Sequence, residues 1–212
     1  MPKGFTEHEK ELIRKRLLEQ GYKQFSVYGL KKTNVEALAE ASGISKGAFY
    51  LFYESKEVLF MDVIELAEER FRQEVLAVID LPGPSPRVRL FAVLKKAFSL
   101  LETIPILQFV TGSDYDLLLR RTPSEKLEEH MASDRVFIGE LITRCKNAGI
   151  PIRVRSEELS GLLYPLVLTI LHEDDFGPYK FSDSIDVLLD LVAAFCLGEL
   201  ESQVIKPISP IP

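Results

Sequence analysis

Residues 33 to 59 restrict this chain more than any other stretch, because they spell two short helices around a glycine turn and the start of a third. Thr33 and Glu36 have the spacing of a capping box, in which side chains satisfy the orphan N–H groups of a helix start. Val35, Leu38 and Ala39 then recur at i, i+3, i+4 and leave one narrow apolar stripe. Ser42-Gly43 interrupts that helix, and glycine accepts the left-handed backbone that a sharp turn requires. Ile44 plugs the turn, Ser45 caps the second helix, and Ala48, Phe49 and Phe52 continue the apolar face. Together these make a helix-turn-helix, the unit that lays its second helix in the DNA major groove.

The charges point the same way. A helix N-terminus carries a partial positive charge, so a lysine there is mildly unfavourable. Lys46 stands at the first position of the second helix, and Lys56, after Ser55, at the first position of the third. DNA phosphates approaching both helix starts would compensate both lysines. Gly47, which has no Cβ, lets a backbone come close. Either lysine alone would be a solvated surface charge; the pair inside a helix-turn-helix favours an anion.

At these residues the chain resembles the TetR family of bacterial transcriptional regulators. The run Gly43-Ile44-Ser45-Lys46-Gly47-Ala48-Phe49-Tyr50-Leu51-Phe52-Tyr53, then Ser55-Lys56-Glu57-x-Leu59, is similar to that family's recognition segment nearly position for position. Gly29, Thr33 and Leu38-Ala39 extend the resemblance, which covers about residues 6 to 62. Leu51 departs from it where many members carry His or another polar residue, and Tyr53 stands where Phe is usual. Leu51 would therefore meet DNA through an apolar contact, for instance with a thymine methyl. The expected DNA-binding set is Thr33, Ser45, Lys46, Gly47, Ala48, Phe49, Tyr50, Leu51, Tyr53 and Lys56. The resemblance also implies a small-molecule effector and a homodimer.

A net charge of −6 would count against a nucleic-acid partner if it were evenly spread. Residues 1–60 instead hold ten Lys or Arg against eight acids, and the remainder sixteen against twenty-four. An acidic body with a mildly basic head suits contact with nucleic acid through one end. The N-terminal residues lack the apolar core of a signal peptide, and the apolar run Leu159–Leu171 is too short to span a membrane. Cys145 and Cys196 are isolated and expected to be reduced, so the chain is expected to be cytoplasmic, with no membrane partner.

Everything outside the helix-turn-helix also carries helical periodicity, so the expected class is all-α. Thr6 and Glu9 form a second capping box; their helix is expected to reach about Gln20, where Gly21 stops it. A helix from Ser55 to about Ile79 is long enough, at ~1.5 Å per residue, to couple two domains. Pro82, Pro84 and Pro86 mark a loop, and Arg87 to Ile104 is amphipathic. Pro105 and Gly112 divide the next stretch, with a short helix from Asp114. Thr122-Pro123-Ser124-Glu125 predicts a capping box with Pro at the first helical position, opening a helix to about Asn147. Ser156 opens another to Leu171, and Ser182-Asp183 caps a last one reaching about Gln203. The expected division is a three-helix DNA-binding domain at 1–54, a connecting helix at 55–80, an effector-binding and dimerisation domain at 81–206, and a disordered tail at 207–212.

Nothing in the sequence proposes catalysis, a cofactor or a metal. Four consecutive residues, His172 to Asp175, cannot readily converge on one ion, and His8 and His130 are expected on the surface. No Gly-rich phosphate loop, Gly-x-Ser-x-Gly elbow or Cys-x-x-Cys pair occurs. Phe98, Leu101, Phe109, Tyr115, Leu118, Phe137, Leu141 and Tyr164 are the expected lining of an effector pocket, on helices that Pro and Gly interrupt. With few charges among them the effector would be mostly apolar. The two last helices are more apolar than one neighbour can cover, so Leu163, Val167, Leu188 and Val192 are expected to build a symmetric four-helix interface. The expected function is that of a homodimeric repressor, released from a palindromic double-stranded DNA operator by its effector. The rivals are a protein-binding adaptor on the same fold and a helical carrier of an apolar metabolite.

Overall fold

The computed structural model describes residues 5–106, 112–172, 181 and 184–200, and for residues 112–116 the backbone alone. Phe109, the Tyr115 side chain, the acidic residues 173–175, the Ser182-Asp183 cap and the tail 207–212 lie outside the described residues. The regular elements among those described are helices: α1 (Glu7–Lys32), α2 (Val35–Ala41), α3 (Lys46–Phe49), α4 (Lys56–Ile79), α5 (Pro86–Thr103), α6 (Gly112–Arg121), α7 (Ser124–Asn147), α8 (Ser156–Leu171) and α9 (Ile185–Cys196). The all-α expectation holds. None of these helices is long and apolar enough to cross a membrane.

Four boundaries differ from the sequence reading, each for a local reason. First, α1 runs past Gly21, because that residue is buried where a Cβ would sit 3.0 Å from Val63 Cγ2 and 3.5 Å from Leu59 Cδ2. Glycine here permits close approach of α1 to α4 and does not end the helix; the backbone leaves helical geometry only at Gly29 (φ 70°, ψ 177°). Second, Thr33 does not cap α2. Its buried hydroxyl donates to the Gly29 carbonyl at 2.6 Å, while Asn34 caps α2 by accepting the Glu36 N–H at 2.8 Å. Third, the buried Thr122 hydroxyl has no hydrogen-bond partner among the described residues, and α7 starts at Ser124. Fourth, α9 ends at Cys196, well before Gln203, where the Gly198 and Glu199 N–H groups bond the Phe195 and Ala194 carbonyls. The Thr6–Glu9 capping box forms as expected, with the Glu9 N–H donating to Thr6 Oγ1 and the Thr6 N–H to Glu9 Oε2.

The chain divides into two compact units, one comprising Met1–Gln73 with Phe98–Asp134 and the other Glu74–Ala97 with Arg135–Pro212. The first unit has one continuous apolar core. Ile13, Leu17 and Phe25 of α1, Leu38 and Ala39 of α2, Phe49 of α3, and Leu59, Phe60, Val63 and Ile64 of α4 meet there with Ile106 and Leu118. Phe25 and Phe60 pack edge to face at 4.9 Å, a favoured aromatic geometry. Burial of each such side chain contributes roughly 1.5–3 kcal/mol, which is what lets a four-residue helix such as α3 persist although it could not form alone. Lys126 of α7 bonds Asp62 of α4 at 2.5 Å, so the unit draws in α6 and the start of α7 beyond residues 1–54.

The second unit is held differently. Val75, Ile79, Leu90, Val93, Leu94, Leu141, Cys145, Leu159, Leu189 and Ala193 are buried. Arg89 donates to the carbonyls of Ile79 and Ala148 at 2.9 and 2.8 Å, satisfying groups that helix ends leave open. Arg87 grips Asp190 through two hydrogen bonds of 2.8 and 2.6 Å, the forked geometry that guanidinium and carboxylate share.

Candidate nucleic-acid interface

The turn between α2 and α3 is a Schellman motif. Gly43 takes φ 73°; its N–H bonds the Glu40 carbonyl at 2.9 Å, and the Ile44 N–H bonds the Ala39 carbonyl at 3.0 Å. Ser42 Oγ donates to the Leu38 carbonyl at 2.8 Å, and Ser45 Oγ accepts the Ala48 N–H at 3.2 Å. The turn and both flanking helices are therefore fixed by backbone bonds and small polar side chains, with the Arg16 guanidinium lying close beside Gly43.

Lys56 apart, the structure sorts the expected contact residues into two layers. Ser45, Lys46, Gly47, Tyr50 and Leu51 are exposed and Ala48 is half-buried. Leu51 is 73% and Tyr50 51% exposed, the Tyr50 ring resting edge-on against Phe49 with centroids 5.4 Å apart. Phe49, Tyr53 and Thr33 are buried and belong to the second layer. This corrects their place in the contact set: their side chains hold the helices and cannot reach a groove. Phe49 lies against Tyr53 with ring centroids 6.0 Å apart. Burial, then the charge and hydrogen bond of Asp62, push the Tyr53 phenol above its ordinary range and keep it a donor.

Lys56 has a second role that its position alone does not reveal. It begins α4, as the spacing predicts, but its ammonium donates to the carbonyls of Leu30, Thr33 and Lys31 at 2.7, 2.8 and 3.2 Å. Those carbonyls close α1, where helix dipoles leave negative partial charge. The compensation expected from phosphate is thus supplied internally, by the end of another helix. Sequence reasoning also passed over Val27 and Tyr28, exposed beside the exposed Lys31 and Lys32 near the end of α1. No cap or periodicity marks them; only their exposure does.

The other expected sites fare unevenly. Phe98, Leu101 and Leu118 belong to the first unit, where Leu118 lies in the core and Leu101 packs against it; Phe137, Leu141 and Tyr164 belong to the second. Leu141 is buried, whereas Tyr164 is 59% exposed. Of the expected interface, Leu163, Val167 and Leu188 are half-buried and Val192 is buried within its own unit. Beside Tyr164, the outward large apolar residues of α8 and α9 are Leu162, Val187 and Leu191. Asp186 and Asp190 mark one polar edge of α9, engaged by Lys95 and Arg87, but the rest of the helix is apolar all round, so the pattern did not choose between the remaining stripes.

Comparison with known proteins agrees with this geometry. Residues 17–63 match the model of the N-terminal domain of bacterial regulatory proteins of the tetR family. The HTH-type transcriptional regulator AcrR of Shigella flexneri is 32% identical over 63 residues, 30% of this chain and 29% of AcrR. The uncharacterised HTH-type regulator YuxN of Bacillus subtilis is 35% identical over 79 residues, 37% of this chain and 26% of that protein. The chain thus spans about a quarter to a third of the length of these curated relatives. The fold is shared more widely. The fatty acid degradation regulator FadR of Bacillus halodurans superposes with a TM-score of 0.60 at 16% identity, over 94% of this chain and 99% of FadR. FadR of Bacillus subtilis, solved in complex with stearoyl-CoA, gives 0.60 at 17% identity, over 85% of this chain and 97% of that one. Residues 17–63, which hold the glycine-turned helix pair with its open α3 face, match the N-terminal domain of the tetR family of bacterial regulatory proteins.

Proposed function

We propose that this chain is a DNA-binding transcriptional regulator that sits on a palindromic operator as a homodimer and is released by a small, mostly apolar effector. The observation that carries the reading is the two-sided character of α3: Phe49 anchors it from behind while Lys46, Tyr50 and Leu51 stand open on the other side. Lys46 supplies charge for a phosphate, Tyr50 a hydroxyl, and Leu51 an apolar group for a thymine methyl. The exposed Leu162, Val187 and Leu191 support self-association, since two half-sites about 34–36 Å apart need two copies of the helix. Residues 1–54 carry the DNA contacts in this reading, 55–80 transmit, and 81–206 hold effector and interface. An apolar effector is supported by the uncharged character of Phe98, Leu101 and Leu118, and by the stearoyl-CoA found in the similarly folded FadR of Bacillus subtilis. It acts by preferring a dimer whose recognition helices are wrongly spaced, and can weaken operator binding only by its differential affinity for the two states.

Selection of sites from a random pool of double-stranded DNA tests the reading. Enrichment of an inverted repeat, and its release by an apolar ligand such as a long-chain acyl-CoA, is the expected result. A pool that stays random after repeated rounds would leave the adaptor reading in its place.

A further inference from the structure

Glu68 on α4 and His130 and Asp134 on α7 form a group that the DNA reading does not use. All three belong to the first compact unit, and their donor atoms lie within 4.8 Å of one another. His130 is not the surface residue the sequence suggested. Its side chain is largely buried, and Nδ1 is shielded from solvent with no hydrogen-bond partner among the described residues. That nitrogen lies 3.6 Å from Glu68 Oε2, too far for a hydrogen bond. It is the separation expected of two donors that share one ion: at about 2.1 Å each and near-tetrahedral angles, N and O stand about 3.4–3.6 Å apart. Asp134 follows His130 by four residues and so projects from the same face of α7; its Oδ2 lies 3.9 Å from the other ring nitrogen, Nε2, so a modest turn of its carboxylate would bring it to the ion that Nδ1 and Glu68 share.

The surroundings favour a cation. Glu68 and His130 open on a cleft of about 330 Å³ lined also by Glu65, Glu69, Glu129, Arg72 and Ser133. Arg72 offsets part of the charge, at 2.8 Å from Asp134 Oδ1 and 3.4 Å from Glu68 Oε2, while also donating to Ser133 Oγ at 2.6 Å. An arriving ion would take over the two carboxylates and leave Arg72 its bond to Ser133. One imidazole and two carboxylates suit a first-row divalent ion such as Zn²⁺, Co²⁺ or Mn²⁺, with water from the cleft completing the shell.

We propose that Glu68, His130 and Asp134 bind one first-row divalent metal ion across α4 and α7. The assignment stands apart from the DNA reading and is tested without DNA. The full chain, freed of metal by chelator, is titrated with cobalt(II) chloride while the visible d–d absorption and the bound stoichiometry are followed. One ion per chain with a nitrogen-containing coordination spectrum is expected. His130→Ala and, because Asp134 is exposed and its loss spares the core, Asp134→Asn should each weaken binding by roughly tenfold or more. His8→Ala with His172→Ala should leave the titration unchanged. Binding that survives His130→Ala and Asp134→Asn, or that vanishes in the His8/His172 variant, overturns the site, as does a wild-type chain that takes up no cobalt.

Discussion

The ammonium of Lys56 lies 2.7 Å from the carbonyl oxygen of Leu30, joining the first residue of α4 to the end of α1. The Thr33 and Lys31 carbonyls receive its remaining N–H groups, so all three donors of the ammonium have acceptors. Lys56→Met keeps the aliphatic stem and deletes these bonds. Hydrogen bonds to charged groups contribute about 1.5–3 kcal/mol, and a loss of that size is expected in the stability from urea unfolding. A melt indistinguishable from wild type would reduce Lys56 to a surface charge and reopen it as a phosphate contact.

Lys46 should behave in the opposite way, because it is exposed on α3 and the core does not need it. For Lys46→Ala the urea melt should not move, while the logarithm of the DNA association constant should fall less steeply with salt, by about one unit of slope. The two lysines, alike in sequence position, are thus separated by which measurement responds. An unaltered slope would take Lys46 out of the interface.

Leu51 is the most open large apolar side chain on the proposed reading face. Leu51→His should shift the preferred base at one operator position, since a base-edge contact discriminates by about 1–3 kcal/mol. Identical sites selected by both proteins would mean that the base contacts come from elsewhere on the unit.

How far these sites were legible in the sequence depends on what each residue answers to. Gly43, Ser45 and Phe49 answer to neighbours within a few positions, so caps, turn and apolar face could be read directly and the fold class with them. Gly21 answers to Val63 and Leu59, Thr33 to the carbonyl freed at Gly29, and Lys56 to three carbonyls about twenty-five positions back. Such partners carry no local signature. His130 and Asp134 show their spacing on α7, but the carboxylate they meet, Glu68, stands on another helix, so no ligand motif appears along the chain. Rotation of α8 and α9 was hard to read for a third reason: on α9 only Asp186 and Asp190 are polar, and their partners Lys95 and Arg87 stand on another helix about a hundred positions back.

Cys145 and Cys196 are buried, and burial pushes both thiols up to about 11 from an ordinary 9.0. The thiolate is the reactive form, so a disulfide-exchange reagent at pH 8 should leave the native protein unlabelled and label two thiols in denaturant. The sign of the linkage follows. The unfolded chain releases these protons first, so stability should decline as pH rises from about 9 and level off above about 11. Cys145→Ser with Cys196→Ser should flatten that decline. Rapid labelling of the native state would place at least one thiol at the surface.

Val187 and Leu191 lie one turn apart on α9 and are 64% and 45% exposed, while Val192 is buried inside its own unit. In a symmetric dimer built on α8 and α9 the first two would pass from water into the interface, and Val192 would not change its surroundings. Val187→Asp would then bury an unpaired charge, at a cost of several kcal/mol for each copy, and twofold symmetry places two copies in the one interface. The isolated chain should tolerate the same substitution, because the side chain remains in water there. Equilibrium sedimentation of wild type and Val187→Asp, with an unfolding melt on the variant, therefore separates assembly from folding. A dimer for wild type and a folded monomer for the variant is the expected pair. Operator affinity should fall steeply with it, because one copy makes about half the phosphate contacts. A variant that stays dimeric would move the interface off this stripe, and a wild type monomeric at micromolar concentration would remove the two-half-site mechanism altogether.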